Sequence, residues 1–263
     1  MSRDPRALHV EVVGHGPPLV LLHGWAMHGG VFAPLVECLR DRCTLHLVDL
    51  PGHGASHGSA VPLALEPCVE AICAQVPTAP WCGWSLGGLF ALHAAATRPQ
   101  RVPRLAMICA APRFVRDGTI DGDWKYGVSK EIFHDFAVGL REDYHGTLDR
   151  FVALEAFGSD HAKDELRALR QQLFARGAPT ARALADGLSL LETTDLRALL
   201  PSLPAGSLWL GGRRDRLVDP RAMRQAATQA PAGRFHLLEH AGHAPFLTHA
   251  REVAAHLTGF LRT

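Results

Sequence analysis

The sequence lacks the features that mark membrane-spanning, exported and strongly charged proteins. No segment approaches the roughly 18 consecutive apolar residues of a membrane span, and residues 1–18 contain no apolar run typical of a secretion signal. The 27 lysine and arginine residues nearly balance the 26 aspartate and glutamate residues, which argues against binding nucleic acid through overall positive charge. We therefore expect a soluble, cytoplasmic, monomeric protein that binds neither membranes nor nucleic acid.

Cysteine is sparse as well, and its spacing excludes two common structural uses. The six cysteines show neither the CxxC spacing of metal sites nor the density of a disulfide-stapled domain. Because they lie in apolar segments, we expect reduced thiols in the core. Histidine is abundant, but the sequence around His236, His240 and His243 alternates like a strand and would not place ligands on one helical face. We expect neither a metal nor a cofactor.

The remaining composition is typical of one large domain with a sizeable core. Hydrophobic residues make up 47% of the 263 residues and charged residues 20%, and a chain of this length buries a core without disulfide or metal support. Short apolar runs alternate with helix-length segments, which predicts an α/β fold with a mostly parallel sheet covered by helices on both faces. The predicted strands are 8–13, 19–23, 44–49, 81–84, 105–110, 207–211 and 234–239, and the predicted helices of this core are 31–40, 65–75, 86–97, 220–229 and 251–261.

The alternation of strands and helices lapses over residues 113–190, where the chain becomes charged and helical. A long insertion after one strand of a parallel sheet projects from the carboxyl edge, where α/β proteins bind ligands. We therefore predict an α/β core of residues 1–112 and 191–263 with a helical lid at 113–190. The alternative is two independent domains, but the sheet pattern resumes after the insertion, which favours one. The predicted lid helices are 129–141, 143–156, 161–176 and 178–190.

The sharpest chemical signal is the run Gly83-Trp84-Ser85-Leu86-Gly87, between a predicted strand and an alanine-rich helix. This is the G-x-S-x-G nucleophile elbow in the strand–turn–helix setting that it needs. The tight turn strains the backbone of the nucleophile, and the two glycines relieve clashes between the strand and the helix. Ser85 is therefore the predicted nucleophile, and the amide of Leu86 can donate to an oxyanion.

A serine hydroxyl needs a base that is oriented by an acid, and in hydrolases with this elbow both follow the serine in the order acid, then histidine. His243 lies in a loop after the last predicted strand. It is a better candidate for the base than His240, which lies at the end of that strand, or His249, which lies beside the final helix. Asp215 lies just past the preceding strand, whereas Asp219 precedes a proline and fits a helix N-cap. We assign Asp215 to the triad.

The second oxyanion donor should come from the loop after the strand at 19–23, which reads His23-Gly24-Trp25. The backbone amide of Trp25 can supply this hydrogen bond, while its indole forms a wall of the acyl pocket. An alternative is that Trp25 only packs in the core. The segment 49–54 is predicted to be a structural turn, and its His53 receives no catalytic role.

In this order and over nearly the whole chain, these motifs resemble the α/β-hydrolase superfamily. Within it they resemble the carboxylesterases of biotin synthesis that cleave the methyl ester of pimeloyl-acyl carrier protein. The runs that carry the resemblance are 21–25, 45–52, 83–88 and 243–246, together with 150–155 in the lid. The resemblance implies catalysis by Ser85, Asp215 and His243, without a cofactor. It also implies substrate contacts from Trp25, Ser85, Leu86, Phe151, Val152, Ala153, Leu154, Glu155 and His243.

The resemblance further implies docking of an acyl-carrier protein, which carries the pimeloyl methyl ester on phosphopantetheine, by basic lid residues. Arg150, Lys163 and Arg167 stand at matching positions, and Arg170 shares a helical face with the last two by spacing. Such a face suits an acidic partner or a phosphate. However, residues 113–190 hold 11 basic and 13 acidic residues, so a merely solvated face is the alternative. Gly146 and Glu155 depart from the family's pattern.

Other functions share the elbow and the triad. A general short-chain carboxylesterase or a C–C bond hydrolase has the same machinery, and only the lid and acyl pocket would distinguish them. A haloalkane dehalogenase is disfavoured because it needs aspartate where Ser85 stands. A noncatalytic binding protein on the same scaffold is a remote alternative, because fold does not fix function.

Overall fold

The computed structural model describes residues 7–116 and 124–262. A seven-stranded sheet runs through its centre in the order β1-β3-β2-β4-β5-β6-β7. Strand β1 pairs antiparallel with β3, and every other neighbouring pair is parallel, which confirms the predicted mostly parallel sheet. The strands are β1 His9–Gly14, β2 Pro18–Leu22, β3 Thr44–Asp49, β4 Trp81–Trp84, β5 Leu105–Ile108, β6 Leu208–Gly212 and β7 Arg234–Leu238.

The helices follow the predicted order along the described chain, with short additions. They are α1 Ala33–Leu39, α2 Leu65–Gln75, α3 Leu86–Thr97, α4 Lys130–Glu142, α5 Tyr144–Ala156, α6 Ala162–Leu173, α7 Ala181–Thr193, α8 Pro220–Gln229, α9 Pro245–Thr248 and α10 Ala250–Arg262. Three 3-10 helices, Gly29–Phe32, Gly54–Ser56 and Arg197–Ser202, and the short α9 were not predicted. Each is too short to leave a hydrophobic period in the sequence.

Several predicted bounds were wrong by a few residues, and two have a clear cause. Strand β5 ends at Ile108 rather than at residue 110, because Cys109 turns the chain with a φ of +44°. Helix α7 begins at Ala181 rather than at residue 178, because the side chain of Thr180 caps it by accepting a hydrogen bond from the amide of Ala183 at 3.1 Å. Sequence patterns locate such ends poorly, since capping depends on local geometry.

The four helices α4–α7, which we call the inserted helices, lie between β5 and β6 in the chain. Hydrogen bonds and ion pairs join this region to the core at several places. The indole N–H of Trp25 donates to the carbonyl of Leu184 at 2.9 Å, and Arg176 pairs with Glu11 and with the buried Asp49. The division into a core and a lid stays a prediction. Residues 117–123, which fall inside the predicted lid, lie outside the described residues.

The core lies on both faces of the sheet and includes four of the cysteines. Strands β4 and β5 are buried along their whole length. All six cysteines are free thiols; Cys43, Cys68, Cys82 and Cys109 are buried, and Cys38 and Cys73 are partly buried. None of the helices in the described part of the chain is long and apolar enough to cross a membrane.

Candidate active site

Ser85 stands in a strained turn between β4 and α3, as the elbow motif predicts. Its φ is +52°, in the left-handed region that non-glycine residues rarely adopt. A Cβ on Gly83 would lie 2.4 Å from the carbonyl oxygen of Gly87, and one on Gly87 would lie 2.3 Å from that of Leu22. Only glycine fits at either position, so these two residues let strand and helix meet closely enough to present Ser85.

A hydrogen-bonded chain joins the three residues of the predicted triad. The Ser85 hydroxyl lies 2.9 Å from Nε2 of His243, and Nδ1 of His243 lies 2.8 Å from Oδ2 of Asp215. The carboxylate can only accept, so Nδ1 carries the proton and Nε2 is free to accept from the serine. All three residues are buried, with His243 fully enclosed. Three residues that lie far apart in the chain thus meet at one place, as a triad requires, and their catalytic roles stay a prediction.

The loop after β6 holds Asp215 through backbone bonds. Its Oδ1 accepts from the amides of Leu217 and Val218 at 2.8 and 2.9 Å, which leaves Oδ2 for the histidine. Asp219 has the structural role that its position predicts: it caps α8 by accepting from the amide of Arg221 at 2.8 Å. The two carboxylates of this loop thus have different partners: Asp215 bonds His243, and Asp219 caps α8.

The two competing histidines are bonded elsewhere. His240 is exposed and its Nδ1 lies 2.9 Å from a carboxylate oxygen of Asp160. The Nδ1 of His249 lies 3.0 Å from the hydroxyl of Thr248. Neither is the histidine that the structure bonds to Ser85, so the preference for His243 over both is supported by geometry.

Sequence reasoning missed the residue that anchors the histidine loop. The indole N–H of Trp84 donates to the carbonyl of His243 at 2.8 Å, and the two rings lie 5.7 Å apart. Phe246 packs edge-on against the same indole at 5.0 Å. A tryptophan within an apolar strand carries no signal of such a contact, because its partner is 159 residues away in the chain.

A buried polar cluster joins the loops that follow β2 and β3. Nε2 of His23 accepts from the amide of Leu50 at 2.9 Å, and Nδ1 donates to the carbonyl of Gly24 at 2.7 Å. Burial lowers the pKa of His23 to about 3 and that of His53 to about 4, which favours neutral rings, and the two bonds of His23 require a neutral ring. Asp49 accepts from the amides of Gly29 and Ala55 at 2.7 and 2.8 Å. The cluster shapes the loop that carries Trp25.

An apolar cavity adjoins Ser85. Its solvent-accessible space is about 20 Å³, and its walls come from α4, α5, α7, the strand ends and the acid loop. Phe136 and Phe151 meet edge to face at 5.5 Å, and the indole of Trp25 lies 4.5 Å behind Phe151. Trp25 is fully buried and supports this wall from behind rather than lining it. The lining residues are Ser85, Phe114, Val128, Ile132, Phe133, Phe136, Phe151, Leu188, Leu191 and Leu217.

Of the predicted contact segment 151–155, Phe151 lines the cavity, whereas Val152, Ala153, Leu154 and Glu155 do not line it. Glu155 is fully buried, and neither carboxyl oxygen has a hydrogen-bond partner among the described residues. Burial, with smaller contributions from Asp215 and Glu165, raises the pKa of Glu155 well above its usual value and so favours its protonated form. Substrate contacts from this segment beyond Phe151, and from Leu86, stay predictions.

Glu165, which sequence reasoning also missed, is a buried carboxylate on the inner face of α6. Its Oε1 accepts from the hydroxyls of Ser159 and Thr248, each at 2.7 Å. The residue therefore joins α6 to α9, the short helix that follows His243. An amphipathic helix with charged residues every few positions gives no signal that one of them points inward.

The basic residues of the predicted docking face are largely paired within the protein. Arg170 makes a two-bond pair with Asp149 at 2.6 and 2.7 Å, and Arg167 pairs with Asp164 at 3.0 Å. Arg150 donates to Thr147 at 2.6 Å and lies 3.5 Å from Asp143. Lys163 is exposed and has no carboxylate partner within the described ranges. The common helical face of Lys163, Arg167 and Arg170 is exposed as predicted, but most of its charge is neutralised.

One group of donor atoms in the described residues is close enough to hold a metal ion. Atoms of Cys109, Asp215 and His243 all lie within 4.8 Å of one another. Two of these residues are bonded to each other, and burial raises the pKa of the Cys109 thiol well above its usual value. A protonated thiol is a poor ligand, so the donor set suits the hydrogen-bonded chain better than a cation.

The comparison with known families shows to which family the chain belongs. The sequence profile of the alpha/beta hydrolase fold family matches residues 17–250, which is most of the chain. The chain belongs to the α/β-hydrolase family. The predicted α/β-hydrolase fold and the resemblance to this superfamily are confirmed.

Similar members of this family include close sequence relatives and distant structural ones. The chain is 59% identical over 254 residues to a pimeloyl-[acyl-carrier protein] methyl ester esterase of Stenotrophomonas maltophilia, covering 97% of this chain and 96% of that protein. It is 58% identical to the protein of that name from Xanthomonas campestris pv. campestris, covering 97% and 98%. An esterase from Exiguobacterium antarcticum superposes with a TM-score of 0.86 at 21% identity, covering 97% and 96% of the two chains, which shows the shared α/β-hydrolase fold.

Proposed function

We propose that this protein is a serine carboxylesterase that hydrolyses the methyl ester of pimeloyl-[acyl-carrier protein], releasing methanol in biotin synthesis. The observation that carries the chemistry is the chain from Ser85 through His243 to Asp215 at the wall of an apolar cavity. The curated relatives at 56–59% identity, each named as that esterase, support the choice of substrate.

In the first half of the proposed reaction, Ser85 attacks the ester carbonyl while Nε2 of His243 takes the hydroxyl proton. The histidine then gives this proton to methanol as the carbon–oxygen bond breaks, and the acyl group stays on Ser85. Asp215 holds the imidazole and stabilises its charged form. In the second half, the histidine takes a proton from water as the water oxygen attacks the acyl-enzyme, and returns a proton to the Ser85 oxygen as the acyl group leaves as a carboxylic acid.

The proposed oxyanion donors are the amides of Leu86 and Trp25. Leu86 is the first residue of α3, so its amide lies at the positive end of the helix dipole. Trp25 follows β2, which pairs with β4 in the register Leu22 to Gly83, so both loops leave the same edge of the sheet. Loss of one such donor costs about 100- to 1000-fold in kcat in comparable hydrolases.

We also propose that residues 113–190 act as a lid over Ser85. The inserted helices supply most of the cavity wall, and the enclosed space has room for about one water molecule. A chain of several methylene groups therefore needs these helices to move apart before it binds. The apolar lining then suits the methylene chain of a pimeloyl ester, since burying each CH₂ contributes about 0.8 kcal/mol.

The proposed partner is the acyl-carrier protein, docking on the exposed face of α6. Lys163 is the cation of this face that has no carboxylate partner among the described residues, whereas Arg167 and Arg170 are paired. A charge-reversing Lys163→Glu/Arg167→Glu variant should raise KM for the carrier-linked ester and leave hydrolysis of a small p-nitrophenyl ester unchanged. Unchanged turnover of the carrier-linked ester would contradict docking at this face.

The experiment that tests the function is complementation of a biotin-requiring strain that lacks this esterase. We expect growth with the wild-type protein and none with Ser85→Ala produced at the same level. If neither protein restores growth although the wild type hydrolyses a short p-nitrophenyl ester, a general esterase replaces the biotin assignment. We further propose action as a cytoplasmic monomer, which size-exclusion chromatography and cell fractionation would check.

A further inference from the structure

A second cavity lies on the other side of the loop that carries Asp215, and although Asp215 lines it, the mechanism above places no substrate there. It is an open cleft of about 600 Å³ beside the start of α8. Asp219 lies in its wall, with the aromatic rings of Tyr126 and Phe235. Its most unusual feature is a set of guanidinium groups from one short stretch of chain: Arg213, Arg216, Arg221 and Arg224.

Two of these arginines are neutralised and two are not. Arg213 pairs with Glu239, and Arg221 pairs with Asp219 through bonds of 3.0 and 2.6 Å. Arg216 and Arg224 are exposed and have no carboxylate partner among the described residues. The guanidinium of Arg224 is placed 5.1 Å from the centre of the Phe235 ring. Asp215 also lines this cavity, so among the described residues the four arginines exceed the carboxylates of Asp215, Asp219 and Glu239 by one positive charge.

This arginine cavity borders the catalytic cavity directly. Val128 and Leu217 line both spaces, so the same two apolar side chains separate Ser85 from the guanidinium groups. The catalytic side is lined by leucine, isoleucine, valine and phenylalanine, with Ser85 as its polar residue. An alkyl chain that starts at Ser85 and passes between Val128 and Leu217 would reach a cationic space. The combination fits a chain with an ester at one end and an anion at the other.

We propose that the arginine cavity binds the free carboxylate of monoesters of dicarboxylic acids, so that the enzyme also hydrolyses these small hemiesters without a carrier. The planar fork of Arg216 or Arg224 matches a carboxylate with two parallel hydrogen bonds. Ser85 and His243 act as above: water and the hemiester give the dicarboxylate and the alcohol. The inference rests on the ester hydrolysis proposed above but assigns a site that this hydrolysis does not need. Because both ends are held, one chain length should be favoured.

The test compares methyl hemiesters of dicarboxylic acids with methyl esters of monocarboxylic acids of equal chain length. For the wild type we expect a higher kcat/KM with the hemiester and an optimum in chain length. In Arg216→Ala/Arg224→Ala the ratio of the two kcat/KM values should fall about tenfold or more, since charge-assisted bonds are lost. The matched control Arg42→Ala/Arg251→Ala removes two exposed arginines elsewhere and should keep the ratio. Arg216→Lys keeps the charge without the fork and should give an intermediate ratio.

Three outcomes are distinguishable. A wild-type preference for the neutral ester, or a ratio unchanged in the double variant, would overturn the proposal. A double variant that affects only the phosphate-bearing member of a pair of pimeloyl methyl ester thioesters, phosphopantetheine against pantetheine, would also overturn it and assign the arginines to a phosphate. Failure of the wild type to hydrolyse any methyl ester would contradict the proposed function instead.

Discussion

Trp84, the residue before Ser85, donates its indole N–H to the carbonyl of His243 at 2.8 Å. The turn that presents the serine and the loop that presents the histidine are therefore fixed to each other by a neighbour of the serine. The two ring nitrogens of His243 are already committed to Ser85 and Asp215. The backbone carbonyl of His243 is therefore the group through which Trp84 can hold this loop without a bond to either ring nitrogen.

Trp84→Phe should keep the packing of the ring and remove this hydrogen bond. We expect kcat to fall severalfold with little change in KM, and the free energy of unfolding to fall by about 1 kcal/mol or more, because a buried carbonyl loses its donor. Trp81→Phe is the matched control, since Trp81 is equally buried on β4 but its indole N–H has no partner among the described residues. Equal losses in the two variants would contradict the role of the bond.

Gly87→Ala should abolish the folded active site. The added Cβ would lie 2.3 Å from the carbonyl oxygen of Leu22, and backbone cannot move aside as a flexible side chain can. Gly259→Ala, in helix α10, meets nothing within 4 Å and should raise the free energy of unfolding by about 0.5–1 kcal/mol. Thermal unfolding and p-nitrophenyl ester turnover measure both. A folded, active Gly87→Ala protein would show that the close contact is not required.

Glu155→Gln should stabilise the protein at pH 8 and not at pH 4. The raised pKa of Glu155 means that the folded state keeps a proton which the unfolded state releases above its ordinary pKa near 4.5, so the residue lowers stability as pH rises. Glutamine has nearly the same shape without an ionisable proton and removes this cost. The exposed Glu252→Gln serves as the control. Denaturant unfolding at both pH values checks the prediction, and a Glu155→Gln protein destabilised at pH 8 would contradict a protonated Glu155.

The neutral histidines of the polar cluster should make the protein sensitive to mild acid. The folded-state pKa values of about 3 for His23 and about 4 for His53 lie below the value near 6.5 of an unfolded chain. As pH falls below 6.5, these histidines bind protons in the unfolded state but not in the folded state. The free energy of unfolding therefore falls by about 1.4 kcal/mol per pH unit for each histidine. His53→Asn should reduce this slope, and the exposed His57→Asn should not. Equal slopes in all three proteins would refute the explanation.

The fold and the triad could be predicted because their signals are local in the sequence. The glycines around Ser85 lie two residues away on either side, and Asp215 and His243 each follow directly after an apolar strand. Parallel strands bring their carboxyl ends to one edge, so the spatial convergence follows from the order of the elements. The misses were the short 3-10 helices, the short α9 and the ends of predicted elements, as at Cys109, where an unforeseen positive φ ends β5 early.

The rest depends on contacts between distant segments, which one sequence does not encode locally. The bond from Trp84 to His243 forms only when β4 meets the loop after β7, and Glu155 and Glu165 become buried only when the inserted helices pack on the core. The pairing of Arg170 with Asp149, 21 residues earlier, likewise removes a charge that helical spacing alone presents as free. The residue types along a helix thus predict which face is exposed, but not which side chains of other segments pair with that face.

The most direct test of the central claim is methanol release from purified pimeloyl-[acyl-carrier protein] methyl ester, with wild-type protein beside Ser85→Ala. We expect multiple turnovers with the wild type and a fall in kcat/KM of about 10⁴-fold or more in the variant, because the serine, histidine and aspartate act as one unit. Matching thermal unfolding of the two proteins would show that the variant is folded. Comparable turnover by a folded Ser85→Ala protein would contradict the account.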